Sequence, residues 1–248
     1  MKRLLSNLAL GAIACFNLAG ATVAAQDPLA VSPGAYRLEF ENAWVKVVRV
    51  FYGPGTVIGP HLHTEWASAY VYLNDGGPIL FKHEGLPYSG VTRPATRAGS
   101  FRVYKAIKEV HAVENPTAAP SEFLRVEFKT DPVDTASLRG KFHREEPRPI
   151  TTVQRKQFEN AQVRITRVVV APGDALDLTS AAASPSLIVA LTSTPIGRQS
   201  ERNEPDRIPI AIGQVAWVRA GGAIRILGGP TAPSEVLRFE FKTRPMQR

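Results

Sequence analysis

The sequence predicts an all-β protein built of two tandem domains, each a small sandwich or barrel. Three observations predict it. The chain contains its own copy; each copy is a series of short segments rich in valine, isoleucine and aromatics, cut by glycine and proline turns; and no long amphipathic helix appears in its 248 residues.

The first element is a leader. Lys2-Arg3, an apolar run from Leu4 to Phe16 and the small residues Val23-Ala24-Ala25 match the three regions of a cleaved secretory signal peptide, and the run is too short for a bilayer anchor. Residues 1–25 are therefore expected to be removed, leaving Gln26 as the first mature residue of a protein exported to a bacterial periplasm or secreted. Ala12-Ile13-Ala14-Cys15 loosely resembles a lipoprotein cleavage site, a less favoured alternative because Cys15 falls early and the Val-Ala-Ala site after it is good. Cys15 is the only cysteine, so the mature chain has no disulfide, no thiol nucleophile and no thiolate metal site.

The first copy is expected over residues 26–130, with strands at Val45 to Phe51, Ala69 to Leu73, Ile79 to Lys82, Phe101 to Tyr104 and Phe123 to Phe128, and a hairpin turn at Asn74-Asp75-Gly76-Gly77. A connector follows over 131–150, rich in charge and proline, with one helical turn around Thr135 to Arg139. The second copy occupies 151–248. Phe40-Glu41-Asn42-Ala43 recurs as Phe158-Glu159-Asn160-Ala161, and Ala119-Pro120-Ser121-Glu122 recurs as Ala232-Pro233-Ser234-Glu235. The net charge of +8 is spread one or two residues at a time, without a basic helix or run, which argues against nucleic acid as partner and gives a weak preference for anionic small molecules.

One stretch carries chemistry. In Gly55-Thr56-Val57-Ile58-Gly59-Pro60-His61-Leu62-His63-Thr64-Glu65, two histidines one residue apart would project from the same side of a strand and offer two imidazole nitrogens to one ion. Gly55, His61 and His63 fit the opening of the first cupin motif, and Gly99, His111 and Asn115 fit the ends of the second. Each copy thus resembles a cupin domain, and the chain resembles a bicupin. The resemblance implies two jelly-roll barrels of antiparallel strands, with His61 and His63 brought opposite His111 inside the first. It departs from the family in three ways: the glutamate expected near Ala67 or Ser68 is absent, Lys105 and Ile107 replace the second motif's interior proline and glycine, and His111 stands one residue late.

Three imidazoles on one face of an ion leave positions open for substrate or oxygen. The resemblance implies a divalent transition metal on His61, His63 and His111, iron first, with manganese, zinc, copper and nickel served by the same donors. Without metal, the histidines would hydrogen-bond a ligand. Glu65 and Tyr70 are the candidate catalytic residues. Glu65 reads as fourth ligand, general base or exposed residue at the barrel mouth; Tyr70 and Tyr72 line the pocket or pack as strand aromatics; Trp66 reads as core or rim. His83 and His143 fall outside both motifs and read as surface or structural. In the second copy Thr179, Ala181 and Arg225 align with His61, His63 and His111, so that lobe should hold no metal; it would buttress the first lobe or, less favoured, use an inward Arg225 to bind an anion.

The functional expectation is an exported metal-binding bicupin acting on a small molecule, by oxygenase-type chemistry or, close behind, as a sugar-acid lyase or isomerase. The alternative is a non-catalytic ligand-binding or structural module of the cell envelope. Its oligomeric state is open between a monomer whose lobes pack together and a homodimer paired through edge strands.

Overall fold

The computed structural model describes residues 27–63, 66–83, 90–132, 142–143, 151–198 and 206–247. The proposed leader with Cys15, the helical turn at 135–139 and Glu65 lie outside them.

A short helix, α1 (Pro28–Val31), opens the described chain, capped by the Asp27 carboxylate, which accepts from Leu29 N at 2.8 Å. The first lobe then runs through β1 (Tyr36–Glu41), β2 (Val45–Tyr52), β3 (Val57–His63), β4 (Ser68–Tyr72), β5 (Ile79–His83), β6 (Val91–Arg93), β7 (Phe101–Tyr104), β8 (Glu109–Glu114) and β9 (Ser121–Phe128). From the connector comes β10 (Phe142–His143), which pairs with β7. The second lobe repeats the series as β11 (Val153–Glu159), β12 (Val163–Val170), β13 (Ala175–Thr179), β14 (Ser186–Ala190), β15 (Thr194–Arg198), β16 (Asp206–Ile210), β17 (Val215–Val218), β18 (Ala223–Leu227) and β19 (Ser234–Phe241).

Every pairing is antiparallel. Each lobe has a larger sheet, β1-β2-β9-β4-β7-β10 in the first and β11-β12-β19-β14-β17 in the second, and a four-stranded one, β3-β8-β5-β6 or β13-β18-β15-β16. This is the two-sheet jelly-roll arrangement expected. The strands predicted in the first copy all form, but Asn74 to Gly77 is not a hairpin. It joins β4 to β5, which lie in different sheets, and so carries the chain across the barrel.

Both larger sheets are buried on both faces, which is why β4 and β14 are buried along their whole length. Alternation sends Val48, Val50, Tyr52, Tyr70, Tyr72 and Phe123 into the first barrel, and Val45, Val47, Leu124, Val126 and Phe128 to the other face. That outer face packs on its counterpart in the second lobe, where Val163, Ile165, Leu187, Leu237, Phe239 and Phe241 complete one shared core. The Phe128 ring lies 6.0 Å from Phe241 and 6.2 Å from Phe239. Polar contacts tie the same seam: Arg167 of β12 pairs with Glu235 and also donates to the Gly99 carbonyl of the first lobe.

Candidate metal centre

The histidines are turned into the first barrel by an irregularity in their strand. Between Ile58 and His61 the register of β3 on β8 slips, so that Gly59-Pro60 adds one residue as a bulge. Ile58 and His61 are three residues apart and would face opposite sides of a regular strand; the bulge puts both inside. Proline suits the place because it has no N–H to lose from the ladder. Beyond the slip, His61 stands directly opposite His111, and His63 opposite Glu109.

All three rings are buried and meet through one atom each. His63 Nε2 lies 3.1 Å from His61 Nε2 and 3.1 Å from His111 Nε2. The outer nitrogens are tied back: His61 Nδ1 donates to the Gly59 carbonyl at 3.0 Å, and His111 Nδ1 lies 3.2 Å from a Glu109 carboxylate oxygen. The hydrogen bond to Gly59 holds a proton on His61 Nδ1, and the carboxylate beside His111 Nδ1 favours a proton there too, so both Nε2 lone pairs are aimed inward. Burial, against the Gly59 carbonyl, lowers the His61 pKa to about 4 and keeps that ring neutral.

His63 can place at most one proton between two such acceptors, so one of its two contacts sets lone pair against lone pair. A cation removes that conflict. Nitrogens about 2.0–2.1 Å from one ion stand roughly 2.8–3.4 Å apart at octahedral or tetrahedral angles, a range that includes the observed spacing. The donor set and its geometry therefore fit a divalent transition ion.

Around this point the lining is aromatic and polar. Tyr36 donates its hydroxyl to His61 Nε2 at 3.0 Å and receives one from Tyr52 at 2.7 Å, the direction following from the proton on His61 Nδ1. Burial, partly offset by the Tyr52 contact, raises the Tyr36 pKa well above the ordinary phenol value. A Glu109 carboxylate oxygen also lies 2.7 Å from His83 Nδ1, and it faces the Nδ1 side of His111. Burial pushes the Glu109 carboxyl up, but the hydrogen bond from His111 and the charges of the two histidines and Arg93 hold its pKa below the usual value. His83 is thus no detached surface residue: its ring stands edge-on to His111 at 5.4 Å. Tyr36, His83 and Glu109 join the site although sequence reasoning did not select them for it.

Tyr70 is buried and faces the barrel, stacked on Phe123 at 5.1 Å and tilted on Tyr104 at 4.6 Å. Tyr72 faces the same way, whereas Trp66 is buried near the rim with Lys129 Nζ 5.6 Å from its ring. Asn115 serves the fold: its side-chain amide donates to the carbonyls of Tyr52, Gly53 and Ala119.

No protein-family model matches the sequence, and no curated protein matches it significantly. Solved structures do match. A bacterial pirin from Escherichia coli, in complex with nickel(II), aligns over 85% of this chain and 91% of its own, at 15% identity and a TM-score of 0.58. A cupin 2 conserved barrel domain protein from Leptotrichia buccalis aligns over 84% and 88%, at 12% identity and a TM-score of 0.52. The chain has the bicupin fold. A salicylate 1,2-dioxygenase from Pseudaminobacter salicylatoxidans shares it over 81% of this chain and 71% of its own, at 9% identity and a TM-score of 0.54.

The second barrel has no counterpart of the histidine cluster among the described residues, and its correspondences differ from those expected. β13 pairs with β18 without a bulge, and Leu178 stands opposite Ile224 where the first lobe has His61 opposite His111. Ser180 takes the place of His63. The expected Thr179, Ala181 and Arg225 are each one residue off, because the second copy lacks the Gly59-Pro60 insertion and is one residue shorter after Gly213 than the first after Gly99. Arg225 is not inward at all. It is exposed and paired with Asp177 at 2.6 Å on the outer face, so it does not wait in the interior for an anion.

Proposed function

We propose that the first barrel holds one divalent transition metal on His61, His63 and His111 and acts on a small molecule, with oxygenase chemistry as the favoured reaction, in a protein exported to the periplasm or secreted. The observation that carries this reading is the convergence of three buried imidazoles on one point, with His63 Nε2 3.1 Å from the Nε2 atoms of both His61 and His111. The likeness to a nickel-bound pirin and to a salicylate 1,2-dioxygenase supports it as a matter of fold. Iron is the first choice of ion.

The ion would supply Lewis acidity and, where redox-active, oxygen activation. The rest falls to the chain. Three histidines on one side leave the opposite positions free. Tyr36 keeps a proton at its hydroxyl beside them, and the Phe81, Phe123 and Tyr70 rings exclude water from the interior. We assign Tyr70 to orienting the ligand, and Glu65 to general base where proton transfer is needed. Among described carboxylates near the histidines, Glu109 lies on the Nδ1 side and Glu127 is paired with Arg125 at 3.0 Å. Neither is free to act as base at the open face, which favours oxygenation over lyase or isomerase chemistry.

The test loads chelated protein with ferrous iron and follows oxygen uptake and products over aromatic, hydroxy and sugar acids. Oxygen uptake with one class, lost in His63→Ala, is expected. Turnover without oxygen uptake, abolished by Glu65→Gln, would replace the oxygenase with the lyase or isomerase. Metal bound but no turnover of any class would make the protein a binding module.

A further inference from the structure

The two lobes carry the same arginine on the same inward-facing position and treat it differently. Arg125 on β9 corresponds to Arg238 on β19, each two residues before the glutamate that opens the shared pattern Glu-Phe-Lys-Thr and each beside a serine of the neighbouring strand. In the second lobe the guanidinium is satisfied: Arg238 donates from Nε to Ser186 Oγ at 3.2 Å and from Nη2 to the Thr179 carbonyl at 2.7 Å, and Nη2 lies 3.3 Å from Glu240. In the first lobe Arg125 is only 5% exposed and has Glu127 at 3.0 Å from Nε, but its Nη1 is buried without a hydrogen-bond partner. The cleft it lines also contains His63 and Tyr36.

A second guanidinium lines a separate cavity of the first barrel, with Tyr52, Tyr70, Phe81 and Phe123. Arg93, at the end of β6, stacks over Phe81 at 3.7 Å and lies 4.9 Å from the Tyr104 ring and 5.4 Å from Tyr70; Arg125 approaches that same Tyr70 ring at 5.7 Å. Among the described residues no carboxylate pairs with Arg93. Its counterpart in the second lobe is Ile210, a buried member of an aliphatic core. Phe81, under Arg93, stands edge-on to His111 at 5.1 Å. So the metal-type lobe has one added cation, Arg93, and one, Arg125, that keeps Glu127 beside its Nε but leaves Nη1 without a hydrogen bond, both at Tyr70. Guanidinium groups of this kind bind carboxylates in charge-assisted, often bidentate pairs, and rings beside them suit a planar body.

We propose that Arg93 and Arg125 form an anion clamp in the first barrel that selects a small organic carboxylate as its ligand. The proposal names the ligand class for the site described above and so rests on that reading, but the clamp is testable without metal. Binding of formate, acetate and benzoate, each against its neutral amide, is measured by calorimetry on the chelated full-length mature protein, its Arg93→Gln and Arg125→Lys variants, and the wild type reloaded with metal. At least one acid should bind the wild type tenfold or more tightly than its amide, and each variant should lose about tenfold to a hundredfold in that affinity. Arg93→Gln should still take up metal like the wild type, which shows that it is folded. An acid bound no better than its amide, no binding of any of the three acids, or variants that bind as the wild type does would overturn the clamp. Metal uptake without anion preference sinks only the clamp; anion preference without metal uptake sinks only the metal site.

Discussion

The two barrels are the same shape filled in opposite ways. The first is lined by Tyr36, Tyr52, Tyr70, Tyr72, Phe81 and Phe123, with three histidines and two arginines reaching in. The second closes mainly on Val168, Val170, Leu178, Ile188, Ile196 and Ile226, with Arg238 bonded to Ser186 and Thr179 as its inward guanidinium. Position by position the registers set Tyr52 against Val170, Tyr70 against Ile188, Tyr72 against Ala190, Tyr104 against Val218 and Arg93 against Ile210. The difference teaches a division of labour: an aliphatic interior stabilises, while an interior of phenols, imidazoles and guanidiniums trades packing for recognition. The shared Phe128, Phe239 and Phe241 core couples the two, so that a rigid second lobe backs the site in the first.

Four substitutions sharpen or break this contrast. Ile226→Ala, at a fully buried point of the second interior, should cost about 2–5 kcal/mol in denaturant unfolding and leave metal content unchanged. A small effect would mean that the second barrel is not the stabilising half. Glu109→Ala removes the carboxylate that orients His111 and should weaken metal affinity about tenfold to a hundredfold in a chelator competition. Unaltered affinity would show that the His111 ring is held by its packing alone. Tyr36→Phe takes one hydrogen bond from His61 and one from Tyr52, so the chelated protein should lose about 1 kcal/mol. Its metal affinity should not fall, since the lost hydroxyl competed for the same Nε2; a fall would make Tyr36 part of the metal site. Arg225→Ala, on the outer face of the second lobe, should change neither the melting temperature beyond error nor carboxylate binding. An effect on carboxylate binding would return the anion site to the second barrel.

The fold was legible because a duplicated chain states its strands twice, and both copies obey the alternation of buried and exposed positions. The histidine set was legible too, since two ligands one residue apart and a third in the second motif survive small changes of alignment. What the sequence obscured were matters of one residue. The Gly59-Pro60 bulge hid Leu178 and Ser180 from an ungapped comparison of the copies, and the one residue fewer after Gly213 sent Arg225 inward in place of Ile224. Residues brought in by pairing across strands, such as His83 on β5 beside Glu109 on β8, leave no mark in local spacing. A signal for Arg93 and the tyrosines did exist. It lay in the contrast between copies, aliphatic in one and polar in the other, which strand patterns alone do not weigh.

The most direct measurement is the metal content of the protein produced from Gln26 onward and purified without chelator or affinity tag, beside a His61→Ala/His63→Ala variant. Close to one transition metal per chain in the wild type and none in the variant is the predicted result, because only the first barrel converges three imidazoles among the described residues. No metal in either protein after incubation with iron, zinc and manganese salts, or the same content in both, would contradict a metal centre in the first barrel.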